Sequence, residues 1–315
     1  MPKLYPAINK AMRFSHKAVL AALMFGAVWL AKPADASAVI LYLTFQVPSQ
    51  FAGTEFDYGD IIRYDTDTGQ SSLYFKADDH FIGKEGHAMD ALEVLPDGTI
   101  LFSTVGGGKL PGIPNKFNYS DLIHYDPVNH IGMIVMAGRD HFETKAGKPT
   151  QEQLDVVDVL PDGSFLFSTR YEAIFDGNLF DQDDVFRYDP VSGAVSLFFD
   201  AGILETGPQG FNLDGFDIMP DGRYLLSIFK TREVGELKIT GADLVIYDPN
   251  TGKTELFLDH DDILDWKGKH RNFTGVDTEP EVPQQLPVIP EPTSASLLGL
   301  GLLGTLLRRR KRLKS

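Results

Sequence analysis

The chain has 315 residues, no cysteine, 29 basic and 44 acidic residues, and a formal net charge of −15. Without the two terminal segments described below, residues 1–38 and 291–315, it keeps 18 basic and 42 acidic residues, a net charge near −24. Such a charge repels phosphate backbones and anionic lipid headgroups, which argues against nucleic-acid binding. It suits divalent cations or basic partners, and a solubilising outer face is the commoner explanation of such a charge. The lack of cysteine excludes disulfides, so an apolar core must stabilise the fold.

Residues 1–38 have the pattern of a secretory signal peptide. A positive segment with Lys3, Lys10, Arg13 and Lys17 precedes an apolar core at 18–30, and A-x-A cleavage sites follow at 34–36 and 36–38. A membrane anchor would need about 20 apolar residues, more than this core offers. We therefore expect export, with a mature chain that begins near Val39.

A unit of two hairpins repeats along the mature chain. The first hairpin, with a Pro-Asp-Gly turn, occurs as MDALEVLPDGTILFST at 89–104, LDVVDVLPDGSFLFST at 154–169 and LDGFDIMPDGRYLLSI at 213–228. The second occurs at 59–75, 120–136, 183–199 and 242–258, and its aligned tyrosines Tyr64, Tyr125, Tyr188 and Tyr247 lie 61, 63 and 59 residues apart. Strands joined by turns at a fixed period predict copies of one four-stranded unit that pack on each other.

The two ends of the mature chain supply the missing pieces of a fourth unit. NFTGVDTEP at 272–280 aligns with the first strand of the first hairpin and then stops, and VILYLTFQ at 39–46 aligns with its second strand. Sixteen strands would then form four sheets, one of them built from both termini. We expect an all-β fold, a β-propeller of four four-stranded blades closed by pairing of the N- and C-terminal strands, with boundaries at 39–278.

The repeats loosely resemble WD-repeat propellers. The shared features are a strand ending in Pro-Asp-Gly, a second strand, and an aromatic-Asp pair before a Thr-Gly or Ser-Gly turn, as at 61–69 and 185–193. Tyrosine replaces the tryptophan of that family, and its Gly-His dipeptide is missing. The resemblance therefore implies architecture and no partner-binding residues.

The C-terminal region combines a linker and a second targeting signal. A Pro- and Glu-rich stretch at 279–292 is typical of a disordered linker. The sequence from 288 contains Pro290-Glu291-Pro292, a short apolar segment at 293–307 and the basic cluster Arg308-Arg309-Arg310-Lys311-Arg312. This order closely resembles the PEP-CTERM sorting signal of exosortase-processed proteins in Gram-negative bacteria, over residues 288–315. The resemblance implies an exosortase-type partner and transient anchoring in the inner membrane; a permanent C-terminal anchor is the alternative.

Carboxylates recur at three positions of the repeat. The third-strand aspartates lie four residues before each aligned tyrosine: Asp60, Asp121, Asp184 and Asp243. We expect them to accept hydrogen bonds that fix the start of the third strand. The inner carboxylates lie within the first strand of the unit: Glu93, Asp158, Asp217 and Asp277. The strand-start aspartates begin that strand: Asp90, Asp155 and Asp214.

The inner carboxylates are the candidate metal ligands. Carboxylates within an apolar strand must face water, a partner or a cation, and solvation by channel water is the simplest alternative. A ring of Asp and Glu oxygens suits calcium, whereas zinc would need His or Cys. The strand-start aspartates are weaker candidates for the same ion, and the alternative for them is that they cap a loop. No catalytic residue is predicted, because nucleophile elbows, metalloprotease motifs and phosphate loops are absent from the sequence.

Three functions fit these observations. The first is an exported, surface-displayed, non-catalytic module that binds extracellular polysaccharide or surface proteins and holds calcium in an acidic channel. The others are a metal-dependent hydrolase of the gluconolactonase or phosphoesterase propeller type and a purely structural repeat. Aromatic residues in or beside the loops at 106–119 and 173–181 favour the binding module: Phe117, Tyr119, Tyr171, Phe175 and Phe180.

Overall fold

A computed structural model describes residues 39–83, 88–204, 212–229, 231–234, 237–259 and 272–279. The predicted signal peptide, the part of the predicted linker beyond Glu279 and the C-terminal segment lie outside these residues. Their predicted boundaries therefore stay predictions.

The described residues form 23 strands, three short 3-10 helices and no α-helix. The strands in the first half are β1 (Ile40–Phe45), β2 (Ser49–Phe51), β3 (Thr54–Phe56), β4 (Ile61–Asp65), β5 (Gln70–Phe75), β6 (Met89–Val94), β7 (Ile100–Thr104), β8 (Leu122–Asp126), β9 (Ile131–Met136), β10 (Phe142–Glu143), β11 (Leu154–Val159) and β12 (Phe165–Thr169). Those in the second half are β13 (Ala173–Phe175), β14 (Asn178–Phe180), β15 (Asp184–Asp189), β16 (Ala194–Asp200), β17 (Leu213–Ile218), β18 (Tyr224–Ile228), β19 (Arg232–Val234), β20 (Leu237–Ile239), β21 (Leu244–Asp248), β22 (Lys253–Leu258) and β23 (Phe273–Thr278). The 3-10 helices span Ala77–Asp79, Gly138–Asp140 and Ala201–Leu204. The predicted all-β class is confirmed.

Four antiparallel sheets have the same strand order. Sheet I is β23-β1-β4-β5, sheet II is β6-β7-β8-β9, sheet III is β11-β12-β15-β16 and sheet IV is β17-β18-β21-β22. In the Pro-Asp-Gly turns the glycines Gly98, Gly163 and Gly222 have φ of 81°, 83° and 83°, which explains why glycine recurs there. The repeat in the sequence is therefore a repeat of one four-stranded sheet.

The predicted pairing of the chain ends is confirmed. β1 and β23 are antiparallel neighbours, with Leu41 opposite Thr278 and Leu43 opposite Val276. β1 also pairs with β4, so the N-terminal strand is the second strand of sheet I. Val39, the expected first residue of the mature chain, is held at the edge of this strand by a hydrogen bond from its N–H to Thr66 Oγ1, 2.9 Å long.

The sheets pack on each other through four apolar clusters. One cluster lies between each pair of adjacent sheets: I with II, II with III, III with IV, and IV with I. The first strands contact one another in the same cyclic order, since β6 and β17 each lie against β11 and β23. The outer strands β5, β9, β16 and β22 are largely exposed. The first strands are the buried centre of the domain.

Small hairpins between the second and third strands were not predicted. β2–β3, β13–β14 and β19–β20 are two-stranded, and β10 extends the middle one. Their apolar residues pack into the cores, as Phe51 and Phe175 do with no exposed surface. Within the residues that the structure describes, no helix has the length and apolarity to cross a membrane.

Candidate metal centre

The inner carboxylates lie on the four first strands at equivalent positions. Glu93 is on β6, Asp158 on β11, Asp217 on β17 and Asp277 on β23, and each side chain is buried, with at most 5% of its surface exposed. Because neighbouring positions on a strand point to opposite faces, the flanking apolar residues enter the cores between sheets while the carboxylates face the other first strands.

Three of these carboxylates converge. One oxygen from each of Glu93, Asp217 and Asp277 lies within 4.8 Å of one oxygen of the other two. Asp158 is not part of this triad, but its charge interacts with Glu93, Asp217 and Asp277. One of its oxygens, Oδ2, is buried without a hydrogen-bond partner. The structure thus brings together three of the four predicted ligands and places the fourth beside them.

The inner carboxylates also link neighbouring first strands. Asp277 Oδ2 accepts a hydrogen bond from the N–H of Val94 on β6, 2.9 Å away. Asp217 Oδ2 accepts from the N–H of Thr278 on β23 at 3.2 Å and from its hydroxyl at 2.5 Å. The backbone of Ile218 on β17, at the equivalent position, lowers the pKa of Asp158 against the effect of burial. In each case the backbone group belongs to the residue that follows the inner carboxylate of the next strand.

Burial controls the ionisation of this cluster. It raises the pKa of Asp217 to about 6 and the pKa values of Glu93, Asp158 and Asp277 well above their usual range. Repulsion among the carboxylates raises the pKa values of these last three further, and the interaction of Glu93 with the nearby Asp277 raises the pKa of Glu93 and lowers that of Asp277. The four groups can be ionised together only if a cation offsets their charge; without a cation, some of them stay protonated.

The strand-start aspartates form a second acidic group at the beginning of the first strands. Each is paired with an amide side chain that precedes the next first strand. The pairs are Asp90 with Gln153, Asp155 with Asn212, and Asp214 with Asn272. Burial raises the pKa of Asp90 to about 6 and the pKa values of Asp155 and Asp214 well above their usual range.

Arg170 adds a positive charge to this second group. Its guanidinium donates to Gln153 Oε1 at 3.2 Å and lowers the pKa values of Asp90 and Asp214 by its charge. Amide side chains already pair with the strand-start aspartates, and the charge of Arg170 acts on two of them. These aspartates are therefore poorer metal ligands than the inner carboxylates. Sequence reasoning missed the amides, although they recur two residues before a strand-start aspartate or its counterpart Thr274.

The third-strand aspartates have the structural role predicted for them. One oxygen of each accepts the backbone N–H three residues earlier, at 2.7 to 2.8 Å. The second oxygen of Asp60 accepts from Ala77 at 2.9 Å, and that of Asp121 accepts from Gly138 at 3.1 Å. These bonds tie the start of the third strand to the segment after the fourth, and the prediction is confirmed.

The aromatic residues expected in binding loops are mostly core residues. Phe117, Phe175 and Phe180 are buried, and Tyr119 is half-buried. Tyr171 is the one of the five that is well exposed. The expectation that these aromatics form an exposed binding surface is therefore wrong for three of them, because the apolar faces of the small hairpin and of the loop at 106–119 complete the cores.

Sequence comparison identifies the sorting signal. A family model described as the PEP-CTERM protein-sorting motif matches residues 288–311. The chain is an exported protein that carries this signal, as the resemblance of its tail implied, and the motif implies processing by an exosortase-type enzyme. No curated protein matches the sequence.

Solved structures with detectable similarity are distant. The extracellular domain of BT4673 from B. thetaiotaomicron is 10% identical, with a TM-score of 0.27 over 69% of this chain and 22% of that one. A protein of unknown function from Bacteroides caccae is 10% identical, with a TM-score of 0.37 over 78% of this chain and 100% of that one. An auxiliary nutrient binding protein from Bacteroides thetaiotaomicron VPI-5482 is 9% identical, with a TM-score of 0.30 over 70% and 49% of the two chains. The chain thus spans about a fifth of the first and half of the third, and at these TM-scores the likenesses carry no argument about function.

Proposed function

We propose that the exported domain is a closed four-bladed β-propeller that acts as a non-catalytic module at the cell surface and holds calcium among its inner carboxylates. The cyclic packing of sheets I to IV, their common strand order and the pairing of β1 with β23 support the propeller. Radial packing of this kind leaves only short strand edges exposed.

The observation that carries the calcium proposal is the buried triad of Glu93, Asp217 and Asp277. Two unit charges 4.8 Å apart repel by ~3.5 kcal/mol at an effective dielectric constant of 20, and the triad has three such pairs. Calcium accepts six to eight oxygen ligands at about 2.4 Å in flexible geometry. Small movements of the three carboxylates, with Asp158 and water, would supply that number.

A purely structural role is the main alternative for the inner carboxylates. They accept backbone hydrogen bonds from the next strand, which an uncharged side chain with one oxygen could also accept. Asparagine would preserve that role and remove the charge. The pair of substitutions Asp158→Asn and Asp217→Asn therefore distinguishes a role in linking the strands, which it keeps, from a role in binding a cation, which it removes.

The test is the melting temperature of the purified protein in calcium and in chelator. We expect calcium to stabilise the wild type by several degrees and magnesium to do so much less, because magnesium requires near-ideal octahedral geometry. The increment should disappear in the Asp158→Asn, Asp217→Asn double variant and survive in Asp60→Asn. Equal melting temperatures in calcium and chelator would remove the metal from the proposal, and lactone or phosphoester turnover abolished by the double substitution would replace the binding module with the hydrolase.

The proposal includes processing at both ends and partners outside the cell. The mature chain would begin near Val39 and lose residues 308–315 after transient anchoring by the apolar segment at 293–307, which at 1.5 Å per residue covers only ~22 Å of a ~30 Å bilayer core. Extracellular polysaccharide or other surface proteins are the partners that such a location offers. Intact-mass measurement of the native protein checks this point, since a chain that retains Arg308 would be permanently anchored.

A further inference from the structure

One turn between the third and fourth strands has a histidine at a position where the other three units have glycine. The turn between the third and fourth strands contains Gly69, Gly193 and Gly252 with φ of 66°, 73° and 69°. In sheet II the same position is His130, with φ of 54°. The left-handed region is disfavoured for residues with a Cβ, and such a residue points to a specific use of its side chain.

The imidazole of His130 meets a second histidine. The rings of His130 and His80 are stacked, with centroids 4.9 Å apart and planes inclined by 25°. His80 follows the 3-10 helix Ala77–Asp79 and stacks on Phe75 on its other side, at 4.4 Å. The loop after sheet I and the turn of sheet II thus bring two imidazoles together.

Both imidazoles lie close to the hydroxyl group of Tyr125. Tyr125 Oη lies 2.9 Å from His80 Nδ1 and 3.5 Å from His130 Nδ1. In a tetrahedral zinc site with bonds of 2.0–2.1 Å, neighbouring ligand atoms are ~3.3 Å apart. The two observed distances bracket that value.

We propose that His80 and His130 bind a transition-metal ion, zinc or copper(II), through their Nδ1 atoms, with the Tyr125 hydroxyl as a third donor and water in the remaining position. Two imidazoles and an oxygen suit these metals and not calcium. Burial and the neighbouring His130 lower the pKa of His80, which leaves a neutral ring for a metal at neutral pH. The site is separate from the inner carboxylates and does not depend on their function.

The neighbouring unit contains a natural control. His141 follows the 3-10 helix Gly138–Asp140 as His80 follows its own, but the turn of sheet III contains Gly193. His141 Nδ1 contacts Asp176 Oδ2 at 3.0 Å, and its ring stacks on Phe175. A histidine at this position alone is thus part of the packing, and the metal site requires the second histidine.

The test is calorimetric titration of the untagged full chain with zinc, after purification in chelator and in the presence of calcium. We expect His130→Gly to remove one equivalent of zinc, or to weaken it at least tenfold. The same variant should melt no lower than the wild type without metal, because glycine is the residue that the other turns use. His80→Gln should remove the same equivalent, and His141→Asn should keep it.

Copper binding gives a second, spectroscopic readout that is independent of calorimetry. Electron paramagnetic resonance of the chain with one equivalent of copper(II) should show nitrogen hyperfine coupling from two imidazoles that is lost in His130→Gly. Unchanged zinc stoichiometry and an unchanged copper spectrum in His130→Gly would overturn the proposal. A loss in His141→Asn equal to that in His130→Gly would overturn it as well.

Discussion

The third-strand aspartates and the inner carboxylates differ in the groups that surround their oxygens. Both sets recur once in every unit, and all their members are buried except Asp184, which is half-buried. Asp60 and Asp121 use both oxygens to accept backbone N–H groups of their own unit and the segment after it. Asp217 and Asp277 each accept a backbone N–H with Oδ2, and they also lie against carboxylates of other units. A repeated buried acid therefore has a structural role where backbone N–H groups donate to both of its oxygens. It is a candidate binding site where other acids lie beside it.

After burial, the next influence on the pKa differs between Asp60 and Asp121 on one side and Glu93 and Asp277 on the other. Burial raises the pKa values of Asp60 and Asp121, and backbone hydrogen bonds counteract part of this rise. In the inner group, repulsion from other carboxylates adds to burial for Glu93 and Asp277. The backbone of the protein stabilises the ionised third-strand aspartates. The inner carboxylates need protons or a cation to relieve the repulsion among them.

The largest expected effect is at a third-strand aspartate. Asp121→Ala leaves the N–H groups of Asn118 and Gly138 without acceptors and should lower the free energy of unfolding by about 2–4 kcal/mol. Asp158→Asn, measured in chelator, should cost less than about 1 kcal/mol or stabilise the fold, because it removes a buried acid that has one unpartnered oxygen and interacts unfavourably with Asp217. Urea denaturation of both variants checks the contrast. A larger loss in Asp158→Asn than in Asp121→Ala would reverse the assignment of roles.

A smaller effect is expected among the strand-start aspartates. Asn212 donates to Asp155 Oδ2 and to the carbonyl oxygen of Arg170, both at 3.2 Å. Asn212→Ala should lower the free energy of unfolding by about 1–2 kcal/mol, because Asp155 stays buried with one bond fewer. Asn178→Ala is the control, since Asn178 makes an exposed bond to its own hairpin and should cost less than about 0.5 kcal/mol. Equal losses would show that the amides do not support the buried aspartates.

The smallest effect is a pH dependence in the inner group. The pKa of Asp217 is raised to about 6 in the folded chain, compared with about 3.9 when unfolded. The folded state therefore binds this proton more tightly, and the associated stability is complete below pH 4 and is lost as the pH rises through 6. Between pH 7.5 and 5.5, in chelator, the gain in unfolding free energy should be about 1 kcal/mol larger for the wild type than for Asp217→Asn.

That comparison of wild type and variant is needed because other groups titrate in the same window. Burial lowers the pKa values of His80 and His124, so their stability is lost as the pH falls. These histidines are the same in both proteins, and their effect cancels in the difference. Identical pH profiles of wild type and Asp217→Asn would place Asp217 in a solvated environment.

The sequence predicted the sheets because each unit carries its own turns. Pro-Asp-Gly, the aligned tyrosines and the unmatched strands at both ends were enough to assign four sheets and the pairing of β1 with β23. The small hairpins escaped prediction because their strands are two or three residues long, too short for a periodic pattern. The same shortness led Phe175 and Phe180 to be interpreted as loop residues, although they fill the core.

The candidate site was predictable only as a set of positions. The repeat placed Glu93, Asp158, Asp217 and Asp277 on equivalent strands, but their distances depend on how four sheets pack, which no local pattern contains. The longer side chain of Glu93 reaches Asp277, whereas Asp158 stays outside the triad. The amides that serve the strand-start aspartates come from the next unit, so their role follows only from the packing of the sheets.

The most direct test of the central claim is a crystal structure of the mature domain grown in calcium. We expect one strong density peak about 2.4 Å from oxygens of Glu93, Asp217 and Asp277, with Asp158 moved toward it or joined through water, at the centre of a closed ring of four sheets. The peak should be absent from crystals of the Asp158→Asn, Asp217→Asn double variant. A wild-type structure in which these carboxylates share protons or bind only water, with calcium present in the crystal, would contradict it.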